Sequence, residues 1–168
     1  KNKNIVLNVI GPVRNNNKDI SSTKIRELIA NGKIKNANSY LGSPYGFNAK
    51  VIRGSGRGKS LTFPTANIIP IEKKQLMPKT GVYFICGRIN GLRVFGMCNF
   101  GMRPTFNEND LVMEIHFFHE EEYDFYGKEI RVEFLERIRD EKKFPSPKEL
   151  INQLNIDKQL CLQLQGNY

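Results

Sequence analysis

Alternation of apolar and polar residues, rather than helical spacing, dominates the middle of this chain. Over residues 47–52, Phe47, Ala49 and Val51 fall on one face, as a half-buried strand requires. Residues 82–89 and 92–100 carry longer strand patterns on either side of Asn90-Gly91. Asn-Gly favours the tight turn with positive φ at both positions, so this stretch predicts a hairpin. Residues 111–118 and 129–135 predict a second hairpin, joined by a long acidic loop through Glu120, Glu121 and Glu122. Repeated strands with Gly-rich turns and almost no helix between Phe47 and Leu135 predict a closed or nearly closed antiparallel barrel.

Both ends read differently. Residues 5–10 predict a strand, stopped by Gly11-Pro12, with a polar loop over 14–19. Ser21 or Ser22 can cap a helix that Gly32 closes, and Ile34, Ala37 and Leu41 give a second short helical stripe up to Gly42. A lone strand and two small helices cannot make a domain. Residues 1–42 therefore read as the tail of a preceding one, and 43–168 as a barrel with a C-terminal helix. Ser146-Pro147-Lys148-Glu149 places a cap, a first-turn proline and a capping-box acid in order. Leu150, Ile151 and Leu154 form the buried stripe. Asn155 and Asp157 are expected to break or restart the helix, Leu160 and Leu164 to continue its apolar face, and the helix to cover an end of the barrel.

At 168 residues and 39% hydrophobic, the chain can hold one full core with a small appendage. Cys86, Cys98 and Cys161 offer neither a paired framework nor metal spacing. Buried thiols at Cys86 and Cys98 suit a reducing compartment, so a cytoplasmic location is expected. Two histidines, His116 and His119, are too few for a typical zinc site. No signal peptide and no membrane-spanning apolar run is evident. The missing starting Met suggests a piece of something longer. The net charge of +9 is uneven: residues 1–60 hold twelve Lys or Arg against two acids. Such a surface suits nucleic acid, polyphosphate ligands or another domain. Aromatic residues are not interleaved with the charge, which sets nucleic acid behind the others.

The candidate chemistry starts at Gly54-Ser55-Gly56-Arg57-Gly58-Lys59-Ser60. Alternating glycines open the backbone, and two cations favour phosphate oxygens. A nucleotide-hydrolase P-loop needs a glycine five before Gly58, where Arg53 stands, and no helix-forming run follows. Another kind of nucleotide-phosphate loop, or a plain basic turn, remains. Thr65 and Asn67 share one face if a strand begins there, and both offer oxygens suited to magnesium; otherwise Pro64-Thr65-Ala66-Asn67 is a turn. Glu114 is the best acid candidate, on a face with His116 and Phe118 and opposite Met113, Ile115 and Phe117. It is either a solvent-facing strand residue or a base for a hydroxyl attacking a γ-phosphate. His116 and His119 are weaker candidates. The loop after residue 100, Gly101-Met102-Arg103-Pro104, could hold a polar ligand edge or be a structural turn.

Taken together these segments resemble riboflavin kinase, in the form fused to FAD synthetase in bacteria. The resemblance covers essentially the whole chain. It is carried by Phe63-Pro64-Thr65-Ala66-Asn67 after the Gly-rich segment, Gly81-Val82-Tyr83, Asn99-Phe100-Gly101-Met102-Arg103-Pro104-Thr105-Phe106, Glu114, Asp124-Phe125-Tyr126-Gly127 and Arg139-Asp140-Glu141-Lys142-Lys143-Phe144. It implies a six-stranded Greek-key barrel with a C-terminal helix, acting on riboflavin with ATP and Mg2+ to give FMN. It further implies Thr65 and Asn67 as magnesium ligands and Glu114 as the base for the ribityl 5′-hydroxyl. The glycine loop (Gly54, Gly56, Arg57 and Gly58) and Lys59 would lie near the nucleotide. Arg103, Tyr126, Arg139 and Phe144 belong to loops that would close over flavin. Thr62 departs from the family, which often has Gly there, and would narrow the loop. Ile20-Ser21-Ser22-Thr23-Lys24-Ile25-Arg26 resembles the segment closing the adenylyltransferase domain of the fused enzymes, whose His-x-Gly-His motif is missing. Residues 1–42 are then a remnant of that domain. A non-catalytic flavin- or nucleic-acid-binding barrel is the alternative, and would leave Thr65, Asn67 and Glu114 dispersed.

Overall fold

The structure is a computed structural model that describes residues 7–8, 11, 13–15, 18–52, 63–89, 91–102, 111–118 and 126–168. Eight strands and three helices are described. β1 (Arg14–Asn15) and β2 (Lys18–Asp19) make a small hairpin, followed by α1 (Ser22–Ala30) and α2 (Ile34–Leu41). β3 (Tyr45–Ile52), β4 (Ala66–Pro70), β5 (Gly81–Ile89), β6 (Leu92–Met102), β7 (Leu111–Phe117) and β8 (Glu129–Arg139) close into one barrel in the order β3-β4-β7-β6-β5-β8. α3 (Pro147–Gln165) ends the chain.

Every neighbouring pair in the barrel is antiparallel. β5, β6 and β7 are consecutive neighbours, and β8 returns to lie beside β5, which is the Greek-key order. Ile89 pairs with Leu92, as a two-residue turn demands, and Gly91 has φ +82°. The expected hairpin between residues 111–118 and 129–135 does not form. β7 pairs with β4 and β6, while β8 pairs with β3 and β5. Period-two patterning fixes which face of a strand is buried, but not its neighbour. Closing the barrel through β8 leaves no open edge, and that favours the crossover.

The interior is filled by Phe47, Ala49, Val51, Ile68, Tyr83, Ile85, Cys98, Phe100, Met113, Ile115 and Phe134. Leu28, Ile29, Ile34 and Ala37 join this same cluster. Asn38 of α2 adds polar fastening: its Nδ2 donates to the Phe134 carbonyl at 2.9 Å, and its Oδ1 accepts from the Tyr45 amide at 2.7 Å. The two helices therefore share one core with the barrel. Leu41 is exposed, and Tyr40 takes its expected place against the core.

A second cluster lies on the outer side of the barrel, where Phe63, Phe84, Cys86, Met97, Leu135 and Cys161 pack with Ile151, Leu154 and Leu164 of α3. α3 thus covers a side of the barrel rather than an end. β5 is buried on both faces for this reason, with Tyr83 and Ile85 inside and Phe84 and Cys86 outside. Ser146 caps α3 by accepting from the Glu149 amide at 3.3 Å. The helix is not broken at Asn155 or Asp157. Asp157 is 2% exposed and paired with Arg139, so a partner in β8 makes a buried carboxylate tolerable in mid-helix. Burial pushes the Cys161 thiol up to about 12, with the Asp157 charge adding to it, so this cysteine is inert at neutral pH.

Of the strand expected over residues 5–10, Leu7 and Asn8 are described, and neither is in a strand. The polar loop expected over 14–19 contains the β1–β2 hairpin, held by Arg14 and Asp19 at 2.8 Å. Ser21 is the cap of α1. The Gly-rich segment with Gly54, Gly56, Arg57, Gly58, Lys59 and Thr62 lies outside the described residues. So do Asn90, Arg103 and His119.

Candidate active site

The most informative residues stand where the chain enters β4. Phe63 is buried in the outer cluster and meets the His116 ring at 5.1 Å. Pro64 follows, its carbonyl 2.9 Å from His116 Nδ1. Thr65 comes next, half-buried, and β4 starts at Ala66. The turn reading of Pro64 to Asn67 is therefore replaced by a strand from Ala66 onward.

Register then decides what faces what. Ala66 pairs with Ile115, Asn67 with Glu114 and Ile68 with Met113. Ile68, Met113 and Ile115 fill the interior, so Asn67 and Glu114 project from the outer surface side by side. Directly opposed residues on antiparallel strands sit about 5 Å apart at Cα. On the other flank Glu114 pairs with Asn99 of β6. A row Asn67–Glu114–Asn99 therefore crosses three strands, and Thr65 lies two residues before Asn67, just ahead of β4.

Asn67 is only 4% exposed, and its Oδ1 has no hydrogen-bond partner among the described residues. An orphaned buried acceptor costs on the order of 1–3 kcal/mol, so Oδ1 is an oxygen that a cation, a ligand or a water can engage. A neutral amide oxygen beside a hydroxyl suits a hard cation that takes its remaining ligands from phosphates and water. Among the described residues no group of three or more His, Cys, Asp or Glu side chains gathers as a metal cage. An amide oxygen next to a hydroxyl-bearing residue is a donor set that suits magnesium carried with a nucleotide. Glu114 is half-buried, and after burial its charge is the next cause that raises the Cys98 thiol.

The same row continues around the barrel. Asn99 pairs with Val82 of β5, and Val82 pairs with Arg139 of β8. In this closed six-stranded barrel β8 is three strands from β7 in either direction, so Arg139 and Glu114 belong to opposite walls. The Arg139 guanidinium grips Asp157, with Nε 3.0 Å from each carboxylate oxygen and Nη2 2.7 Å from Oδ2. Gln153 Nε2 donates to the same carboxylate at 2.9 Å. Arg139 Cζ lies 5.8 Å from the Phe144 ring centroid. Glu141 crosses directly over Gly101, where any Cβ would collide with the Glu141 carboxylate. Arg139, Glu141 and Phe144 thus gather near the Asn99–Gly101 end of the row.

Tyr126 stands on the other flank. It is 40% exposed, in a turn whose Gly127 amide donates to the Val51 carbonyl at 2.9 Å. The next residue of β3, Ile52, pairs with Asn67. Asn67 and Glu114 are therefore side by side, with Thr65 two residues up the chain from Asn67, Arg139 and Phe144 as a second group, and Tyr126 next to the β3 end that pairs with Asn67. Sequence reasoning gave no role to Asn99 or Glu141, and it took Asp157 for a helix breaker. Only Asn99 was traceable, since an outward polar residue level with a mid-strand acid needs just the correct register.

The family model described as Flavokinase, riboflavin kinase, matches residues 41–165. That span covers the barrel, the Asn67–Glu114 pair and α3. The chain belongs to the riboflavin kinase domain of the bacterial bifunctional riboflavin kinase/FAD synthetase family. Among its relatives is the bifunctional riboflavin kinase/FMN adenylyltransferase of Bacillus subtilis, 39% identical over 153 residues; the match covers 89% of this chain and 48% of that one. This chain thus spans about half the length of the curated relatives it matches.

Solved structures agree on the fold. A Streptococcus pneumoniae chain named macrolide-efflux protein superposes with a TM-score of 0.82 at 34% identity, covering 90% of this chain and 49% of that one. Riboflavin kinase from Trypanosoma brucei gives a TM-score of 0.51 at 26% identity, covering 73% and 80%. The efflux name belongs to the pneumococcal protein; among the described residues here, no helix is long and apolar enough to cross a membrane.

Proposed function

We propose that this chain transfers the γ-phosphoryl group of ATP to the ribityl 5′-hydroxyl of riboflavin, giving FMN and ADP. The observation that carries the reading is the Asn67–Glu114 pairing on one outward face, with Thr65 adjoining. A carboxylate beside two neutral oxygen donors is what a phosphoryl transfer to an alcohol uses: a proton acceptor next to a place for phosphate and magnesium. A non-catalytic barrel has no reason to gather them.

Glu114 takes the hydroxyl proton as the phosphoryl group moves. Thr65 and Asn67 would hold magnesium together with the nucleotide phosphates, and the ion would supply charge stabilisation for the transferring group. Arg139 and Phe144 would present a planar cation and a ring to the isoalloxazine, with Tyr126 closing from the other flank. By family resemblance, Gly54, Gly56, Arg57, Gly58 and Lys59 serve the nucleotide and Arg103 the flavin.

The direct test is incubation with riboflavin, ATP and magnesium, with FMN separated from FAD. FMN is expected and FAD is not. By sequence resemblance residues 1–42 are read as the remnant of an adenylyltransferase domain in a longer parent chain, with the boundary at 42, although Leu28, Ile29, Ile34 and Ala37 of that segment pack into the barrel core. The segment from Ser21 to Arg26 would supply one edge of that second site. FAD made by the purified chain, free of full-length enzyme, would overturn this part.

Thr65→Ala and Asn67→Ala are each expected to raise the KM for magnesium–ATP by about tenfold or more, since each removes one oxygen ligand. Riboflavin affinity without nucleotide should change far less. A magnesium titration in which both variants keep the parental ATP dependence would reject the ligand assignment.

A further inference from the structure

Strand β7 carries a second polar residue on the outward face, two positions after Glu114. His116 is buried at 7% exposure, and its ring is held edge-on between Phe63 at 5.1 Å and Phe118 at 5.8 Å. Its nitrogen contact among the described residues is specific. Nδ1 lies 2.9 Å from the Pro64 carbonyl oxygen, which can only accept, so Nδ1 carries the proton and donates. Nε2 is buried without a partner among the described residues. Burial is the first cause that lowers this imidazole below its ordinary range, and the Lys158 charge acts in the same direction. The ring is therefore a neutral donor fixed in one tautomer.

The Pro64 carbonyl is an unusual thing to hold. Pro64 has no amide hydrogen, so the peptide preceding it gives the sheet no donor. The regular β4–β7 ladder begins only at Ala66 and Ile115. Carried back one residue, that register puts Thr65 opposite His116. The backbone at Thr65 thus lies between the first rung of the ladder and the histidine contact at Pro64. Without that contact, the residue that should offer its hydroxyl lies beyond the last ladder bond.

We infer that His116 is a positioning residue, whose Nδ1–H anchors the Pro64 carbonyl and thereby sets Thr65 and Asn67 for magnesium-bound nucleotide. The inference rests on the proposed kinase reading. One strand then performs two tasks, with the base at Glu114 and the anchor at His116, against a partner strand offering donors at Thr65 and Asn67.

Two substitutions separate the donor from the ring. His116→Phe keeps the aromatic packing with Phe63 and Phe118 and removes the N–H. His116→Asn loses the ring but places an amide N–H where Nδ1 stood. Three quantities are measured: the Kd for magnesium–ADP by calorimetry, the KM for magnesium–ATP, and riboflavin affinity by fluorescence, alongside thermal melting of each variant. The Phe variant is expected to bind magnesium–ADP and magnesium–ATP about tenfold or more weakly, with riboflavin affinity within about twofold, because a small misplacement is felt at the ligands. The Asn variant is expected to keep nucleotide affinity within about threefold of the parent, even where its melting temperature falls.

Parental nucleotide affinity in the Phe variant overturns the inference. So does an Asn variant as impaired as the Phe variant, since the effect would then follow the ring and not the donor. A parent chain that binds no magnesium–ADP fails the kinase reading itself, and the inference with it. A parent that binds while the Phe variant binds equally well fails the inference alone.

Discussion

A Glu114→Gln variant is expected to turn over on the order of 10²-fold more slowly, or worse, at saturating riboflavin and ATP. A primary alcohol is a weak nucleophile until its proton has somewhere to go. Register sets Glu114 between Asn67 and Asn99 on the outward face, and the proposed reaction would use its carboxylate to receive that proton. Gln keeps the shape and one acceptor oxygen but removes the basicity. Affinity for riboflavin and for magnesium–ATP should change by about threefold or less, because the loss falls on the transition state rather than on binding. Fluorescence titration of flavin and steady-state rates on the same preparation distinguish the cases. Near-parental turnover would return Glu114 to the role of an ordinary strand residue.

Part of this arrangement is legible in the sequence and part is not. Alternation at Phe47, Ala49 and Val51 placed β3 correctly, because a barrel interior imposes period two on every strand that lines it. Asn90-Gly91 located the β5–β6 hairpin, because local turn chemistry determines a two-residue connection. The partner of β7 was not legible. Pairing across the barrel depends on which edges remain to be closed, and no local signal near residues 111–135 records that. Alternation put Glu114 and His116 on one face, but which strand lay beside them depended on that closure.

Helix α3 failed in a different way. Asn155 and Asp157 have poor helix propensity, and propensity alone marks a break there. Tertiary pairing overrides it, since Arg139 arrives from β8 at the level where Asp157 turns inward. The residue that most resembled a helix breaker is the one that fastens the helix to the barrel.

Breaking that fastening is the second large effect. An Asp157→Ala variant is expected to lose about 3–5 kcal/mol of stability, because the Arg139 guanidinium would be left largely buried without its counter-charge. Arg139 Nε and Nη2 and Gln153 Nε2 all lose their acceptor at once. Denaturant unfolding with linear extrapolation measures the loss, and an unchanged slope shows that the compared states are the same. A cost below about 1 kcal/mol would mean that the pair behaves as a surface one. The double variant Arg139→Met with Asp157→Leu refines the test. Replacing both charges by apolar side chains removes the stranded guanidinium as well as the pair, so most of the stability should return. Riboflavin affinity should not return with it, because the guanidinium over Phe144 would be gone. If stability and flavin affinity recover together, Arg139 is a structural tie alone and the flavin must be held by other residues. If only stability recovers, the same guanidinium that secures α3 also serves the ligand, and the helix is part of the site's foundation.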